Sequence, residues 1–245
     1  MKTNLIILSA GLALYLFLLQ GCVEITNGEM TNREMTNKEI NNTELIKGIV
    51  ADGPWDVTVF QSETPNAYIE YNDSYRITAE VRSDGYLHLK INTNNHKSIK
   101  LKKNFRAVVE IPYIEYIKAS SVSEISLNGR FEGDFCKIDL SGASKVKHFD
   151  YYGNTLELDI DEVSNCNMSG KGDHVKISGS DVSDIKMFNF TTETLDVNLK
   201  DVSNVEITVN ERITGKLSDA SELKYRGNAN VSEVKTGDLS RVKKR

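Results

Sequence analysis

Hydrophobic and polar positions recur in blocks of about twenty residues through the second half of this chain. The blocks align on Ser123, Ser144, Ser164, Ser183, Ser203, Ser221 and Ser240, spaced 21, 20, 19, 20, 18 and 19 residues apart. A small apolar residue precedes each serine: Val122, Ala143, Val163, Val182, Val202, Ala220 and Leu239. Eight, six and four positions before it stand sets such as Cys136-Ile138-Leu140, Leu156-Leu158-Ile160 and Leu195-Val197-Leu199. Alternation of that kind predicts a half-buried strand. Two and four positions after it come pairs such as Ile125-Leu127, Val146-His148 and Val205-Ile207, which predict a second short strand. Between the strands the inward positions are expected on the residue before the serine and the second one after it. That slip of parity marks a corner, and Asp, Gly and Ser fill it as turn chemistry prefers.

One such unit cannot bury enough apolar surface to offset the entropy of ordering it. It needs neighbours above and below to satisfy its strand edges, and a fixed period is the mark of a solenoid. The Leu and Asn scaffold of leucine-rich repeats is missing, as is the glycine-rich nonapeptide that binds calcium. The expected fold is therefore all-β: a single-stranded parallel β-helix with coils about 4.8 Å apart. Regular coils are expected over residues 118–245. Residues 49–117 read as β-rich N-terminal coils or a cap. Alternating runs there cover Trp55 to Phe60, Tyr75 to Val81, Tyr86 to Ile91 and Phe105 to Ile111, with a hairpin-type turn at Asp84-Gly85.

Upstream, residues 1–21 have the form of a targeting segment, with Lys2 before an apolar run from Leu5 to Leu19. It ends in Leu19-Gln20-Gly21-Cys22, which resembles the bacterial lipobox and implies lipidation of Cys22. Residues 22–48 are expected to be a flexible tether. They carry a pentapeptide repeat on Glu24, Glu29, Glu34 and Glu39, whose five-residue period suits neither helix nor strand.

From Trp55 onward the chain resembles the bacterial "putative auto-transporter adhesin, head GIN domain" family. The resemblance is carried by the Trp55 to Phe60 strand, Asp84-Gly85-Tyr86-Leu87, Val108-Val109-Glu110-Ile111-Pro112 and Leu140-Ser-Gly-Ala-Ser-Lys-Val146. The run from Leu217 to Asn228 is close to that family's ending. Such proteins are typical of the Bacteroidetes and often follow a lipoprotein signal. The resemblance implies an adhesin-like role and names no common ligand. The family's Gly-Ala-Ser is whole only at Gly142-Ala143-Ser144, an acid replacing the glycine in five later copies.

Composition narrows the function. A net charge of −5 over 245 residues argues against bulk binding of nucleic acid. Apart from Cys22, the cysteines are Cys136 and Cys166, on inward positions of different coils. They read as buried free thiols without metal-site spacing.

The sharpest candidate chemistry is a row of acids two residues before the serines: Glu162, Asp181, Asp201, Asp219 and Asp238. Stacked in register, these carboxylates either cap their own turns or share calcium between coils. No other cofactor is expected. The outward side of the first strand carries Asp139, Asp159, Ser178, Asn198 and Lys216, with no base recurring beside the acids and with His148 expected to point inward. Tyr151, Tyr152, Phe188 and Phe190 either pack as a third face or stack on sugars. No nucleophile triad, phosphate loop or metal cluster is legible. The expectation is a lipid-anchored cell-envelope module that binds a glycan or other cell-surface ligand, or serves as a scaffold, without catalysis. A polysaccharide lyase or hydrolase on the same fold, and a purely structural envelope protein, are the alternatives.

Overall fold

The computed structural model describes residues 35–72, 75–92, 105–237 and 239–245. Seventeen strands and one 3₁₀ turn make up these residues, joined in a single winding sheet. The regular part runs through β8 (Tyr116–Ser121), β9 (Glu124–Asn128), β10 (Arg130–Leu140), β11 (Lys145–Ile160), β12 (Asn165–Gly179), β13 (Asp184–Leu199) and β14 (Asn204–Leu217). It closes with β15 (Glu222–Arg226), β16 (Asn230–Thr236) and β17 (Arg241–Lys244). Every contact between successive coils here is parallel and close to one period in register, as in Leu156↔Val175, Val175↔Leu195 and Leu195↔Ile213. The fold is the parallel β-helix that the period predicts.

Three faces enclose the core. The first holds the segment before each serine, from Lys137–Leu140 on β10 to Gly215–Leu217 on β14. The second holds the segment after it, such as Lys145-Val146 stacked on Asn165-Cys166. The third lies between, where Arg130–Gly133 stacks on Asp150–Gly153. The long strands simply bend from one face to the next. Cys136, Ile138 and Leu140 fill the core from the first face, Cys166 and Ile185 from the second, and Phe131, Tyr151 and Phe190 from the third.

At the corner the sequence reading needs a correction. The residue before the serine does not point inward: Val163, Val182 and Val202 are 57%, 53% and 52% exposed. They do stack, since Val182 N–H donates to the Glu162 carbonyl and Val202 N–H to that of Asp181. The inward residue is the serine itself, with Ser144, Ser164 and Ser203 fully buried. Inward positions therefore stay on even offsets through the corner, and parity never slips. The second correction is His148. It adopts φ 57°, and the register jumps from Val146 to Phe149. The extra residue turns His148 out to solvent and hands its inward place to Phe149.

The N-terminal region contains coils and cap together, in an order the chain does not follow. The strands β2 (Gly48–Gly53) and β3 (Asp56–Gln61) form one coil. The strands β6 (Tyr86–Asn92) and β7 (Phe105–Ile111) form another. The β2–β3 coil lies between them and β8–β9, paired in parallel on both sides. Trp55 thus falls in the serine column, opposite Ser123, and packs 5.5 Å from Phe105. The open end beyond is covered by antiparallel strands. The strand β5 (Arg76–Val81) lies on β6, and β4 (Asn66–Asn72) lies on β7. The outermost strand, β1 (Met35–Glu39), pairs with β4. Antiparallel strands laid across an edge consume the free N–H and C=O groups that invite association. Much of the stretch expected to be tether is therefore folded: β1 falls within it, and Ile40 and Ile46 are buried beside it. Residues 1–21 and Cys22 lie outside the described residues.

Candidate functional site

Glu162, Asp181, Asp201 and Asp219 do form a column, for a backbone reason the sequence reading missed. Their φ values are 59°, 56°, 57° and 61°, and Gly142 at the same place has 76°. This left-handed region costs little for glycine and is visited by short polar residues whose side chains bond locally. The acids use that option between coils. The Glu162 carboxylate accepts from Gly142 N–H. Asp201 Oδ2 accepts from Asp181 N–H at 3.3 Å, and Asp219 Oδ2 from Asp201 N–H at 3.5 Å. Asp238 lies outside the described residues. Among the described residues, no three His, Cys, Asp or Glu side chains come together as metal ligands would.

Most of the serine hydroxyls bond backbone carbonyls. Ser203 Oγ donates to the Lys200 carbonyl at 2.7 Å, with that of Gly179 at 3.3 Å, and Ser144 Oγ donates to Ala119 at 3.0 Å. Ser164 Oγ instead lies 3.4 Å from Ser144 Oγ. Ser183 Oγ is buried with no hydrogen-bond partner among the described residues.

The outside of the first face is a broad polar surface. Register places Tyr86, Gly48, Tyr116, Lys137, Glu157, Lys176, Asp196 and Thr214 in one row along the solenoid. A flanking row holds Lys118, Asp139, Asp159, Ser178, Asn198 and Lys216. The acids do have a base nearby, contrary to expectation: Lys137 Nζ lies 3.1 Å from Asp139 Oδ1. The periodic reading missed it because Lys137 lies in the next row. Partial burial, then repulsion from Asp161 and Asp139, raises the Asp159 carboxyl above its ordinary range. On the other flank Thr155, His174, Thr194 and Arg212 make a third row, with His174 Nδ1 2.8 Å from Thr194 Oγ1. The row through Glu157, Lys176 and Asp196 and the row through His174 and Arg212 line a depression of about 280 Å³, together with Val175 and Leu195, and it is open to solvent.

The four aromatics divide between core and surface. Tyr151 and Phe190 are core, and Tyr151 Oη donates to the Gly133 carbonyl at 2.8 Å. Tyr152 and Phe188 lie at the surface, each covered by a guanidinium: Arg130 is 3.6 Å and Arg226 4.2 Å from the ring centroids. Cys136 and Cys166 are buried free thiols, and burial pushes both well above the ordinary thiol value, Cys166 to about 12.

Solved structures share this architecture at low identity. A structure described as a "putative adhesin", from Bacteroides fragilis, superposes with TM-score 0.75 at 14% identity, over 89% of this chain and all (100%) of its own. A structure described as a "putative lipid binding protein", from Parabacteroides distasonis, gives 0.69 at 13%, over 87% and 98%. Another described as a "putative adhesin", from Parabacteroides merdae, gives 0.66 at 16%, over 87% and 97%. At such identities the likeness establishes the fold. No curated protein matches the chain. No helix among the described residues is long and apolar enough to cross a membrane. Residues 47–229 match one family, and with three-quarters of its length in that match the chain belongs to the "putative auto-transporter adhesin, head GIN domain" family.

Proposed function

We propose that this chain is a lipid-anchored, adhesin-like binding module of the bacterial cell envelope, and that its first face binds a cell-surface glycan without catalysis. The observation that carries this reading is the shape and chemistry of that face. Its rows of Lys, Glu, Asp, Thr and Tyr run in register over successive coils and line a depression open to solvent. From Lys137 to Thr214 an extended polar chain laid along the axis meets a charged or hydroxyl group at every coil, about 4.8 Å apart. A catalytic site instead needs a general acid and base converging across a bound, desolvated substrate. The family's description, and the neighbours described as "putative adhesin", support a binding role at the cell surface.

The anchor in this reading is Cys22. Several acyl chains hold a protein firmly where one does not. Cys22→Ser is expected to move the protein from the membrane to the soluble fraction. Binding is tested on a glycan array with and without calcium, comparing the native chain with Glu157→Ala and Arg212→Ala. Capture of a defined glycan class that weakens in either variant supports the reading. A native chain that binds no glycan overturns it.

A further inference from the structure

At one end of the first face, two tyrosines interrupt the run of charges. Tyr86 on β6 and Tyr116 on β8 share a row and are separated only by Gly48 of β2. Their ring centroids are 5.0 Å apart with planes inclined by 39°. Gly48 allows that approach, since a Cβ there would lie 2.7 Å from Tyr86 Cδ1 and 3.0 Å from Tyr116 Cβ. Both residues remain half-buried on the outside of the sheet.

Charged groups border the two rings. Tyr116 Oη donates to Asp139 Oδ2 at 2.6 Å, which fixes the ring's orientation. Lys118 stands beside Asp139 in register and is exposed. On the far side Asp84 accepts from Tyr86 N–H at 2.8 Å and lies 2.9 Å from His88 Nε2. Lys47 Nζ is 5.9 Å from the Tyr86 centroid and 3.5 Å from Glu115. The result is a tilted pair of half-exposed rings bordered by hydrogen-bond donors and acceptors.

We propose that Tyr86 and Tyr116 form the stacking subsite for a hexopyranose ring of a glycan lying along the solenoid axis. The inference rests on the binding-module reading and deepens it by naming the subsite and the ligand chemistry. A pyranose presents an apolar C–H face and a rim of hydroxyls, which suits half-exposed aromatic rings edged by carboxylate, ammonium and imidazole groups. Covering the bare backbone of Gly48 requires one ring. Two rings meeting over it, one held by Asp139, make a rigid surface that loses little entropy on binding. The same row continues through Lys137, Glu157, Lys176 and Asp196, where further sugars find hydroxyl partners over roughly 20 Å.

The test uses the full chain on an array of neutral-hexose, amino-sugar and uronate glycans, followed by titration of the glycan bound best. Tyr86→Ala and Tyr116→Ala are each expected to weaken binding about tenfold or more, and Tyr116→Phe by less than about threefold. Should an alanine variant melt early, nitration of the native chain replaces it: the bound glycan is expected to protect Tyr86 and Tyr116. Folded alanine variants that bind like the native chain, or nitration unaffected by the glycan, overturn the proposal. If Arg212→Ala or Glu157→Ala still weakens binding in that case, the broader reading stands without the tyrosine subsite. A native chain that binds no glycan overturns both, and binding only to uronates with no tyrosine dependence assigns recognition to the lysines instead.

Discussion

Asp201 sits one coil beyond Asp181, and its Oδ2 accepts the backbone N–H of Asp181 at 3.3 Å. The relationship explains how an acid stands where an earlier coil has Gly142. Residue 201 must take φ 57°, and a short side chain able to bond nearby backbone offsets part of that cost. Asp201→Gly should therefore cost under about 1 kcal/mol, because lost capping is balanced by relief of the left-handed backbone. Asp201→Val should cost about 1–3 kcal/mol, since a β-branched residue fits that region worst. Urea denaturation of the two variants checks the order.

The same geometry bears on calcium. An amide N–H aimed at a carboxylate oxygen places positive charge where a cation would sit. Calcium at millimolar concentration is expected to leave the melting temperature unchanged. A rise on calcium addition, abolished by Asp181→Asn, would instead assign the row to the cation.

Two serines in one column should respond oppositely to removal of the hydroxyl. Ser203→Ala deletes a bond to the Lys200 carbonyl and should cost about 1 kcal/mol. Ser183→Ala removes a buried hydroxyl that bonds nothing and should be neutral or stabilising. Thermal melts of the pair decide whether the column acts through its hydrogen bonds or only through its size.

Two glycines of the strands differ in the same way. At Gly215, φ is 129° and an added Cβ would lie 1.9 Å from the Val197 carbonyl oxygen. Gly215→Ala should cost more than about 2 kcal/mol. At Gly133 the nearest atom would be 3.8 Å away, so Gly133→Ala should change stability by less than about 1 kcal/mol. Equal effects would mean that the coils shift to absorb the contact.

Cys136 and Cys166 should resist thiol reagents. Burial raises both, Cys166 to about 12, so at pH 8 almost none of either is thiolate. Ellman's reagent is expected to detect neither in the native domain and both after unfolding. Their reactivity grows as pH rises toward those values, and rapid native labelling at pH 8 would mean that the coils open locally.

The period alone determined the coil length, the parallel stacking, the serine column and the inward Ile, Leu and Val of the regular half. It could do so because each coil there pairs with the next coil in the chain, so spacing in sequence becomes neighbourhood in space. Tertiary structure decided the rest. The β2–β3 coil takes its partners from β6–β7 and β8–β9, a long-range choice that leaves no fixed spacing to read. His148 faces outward because one left-handed residue shifts all that follow it, and side-chain type does not announce that shift. Met35–Glu39 is a strand because β4 offers an open edge, although its own five-residue period favours no regular structure. Tyr86 and Tyr116, thirty residues apart in the chain, meet only because Gly48 is threaded between them.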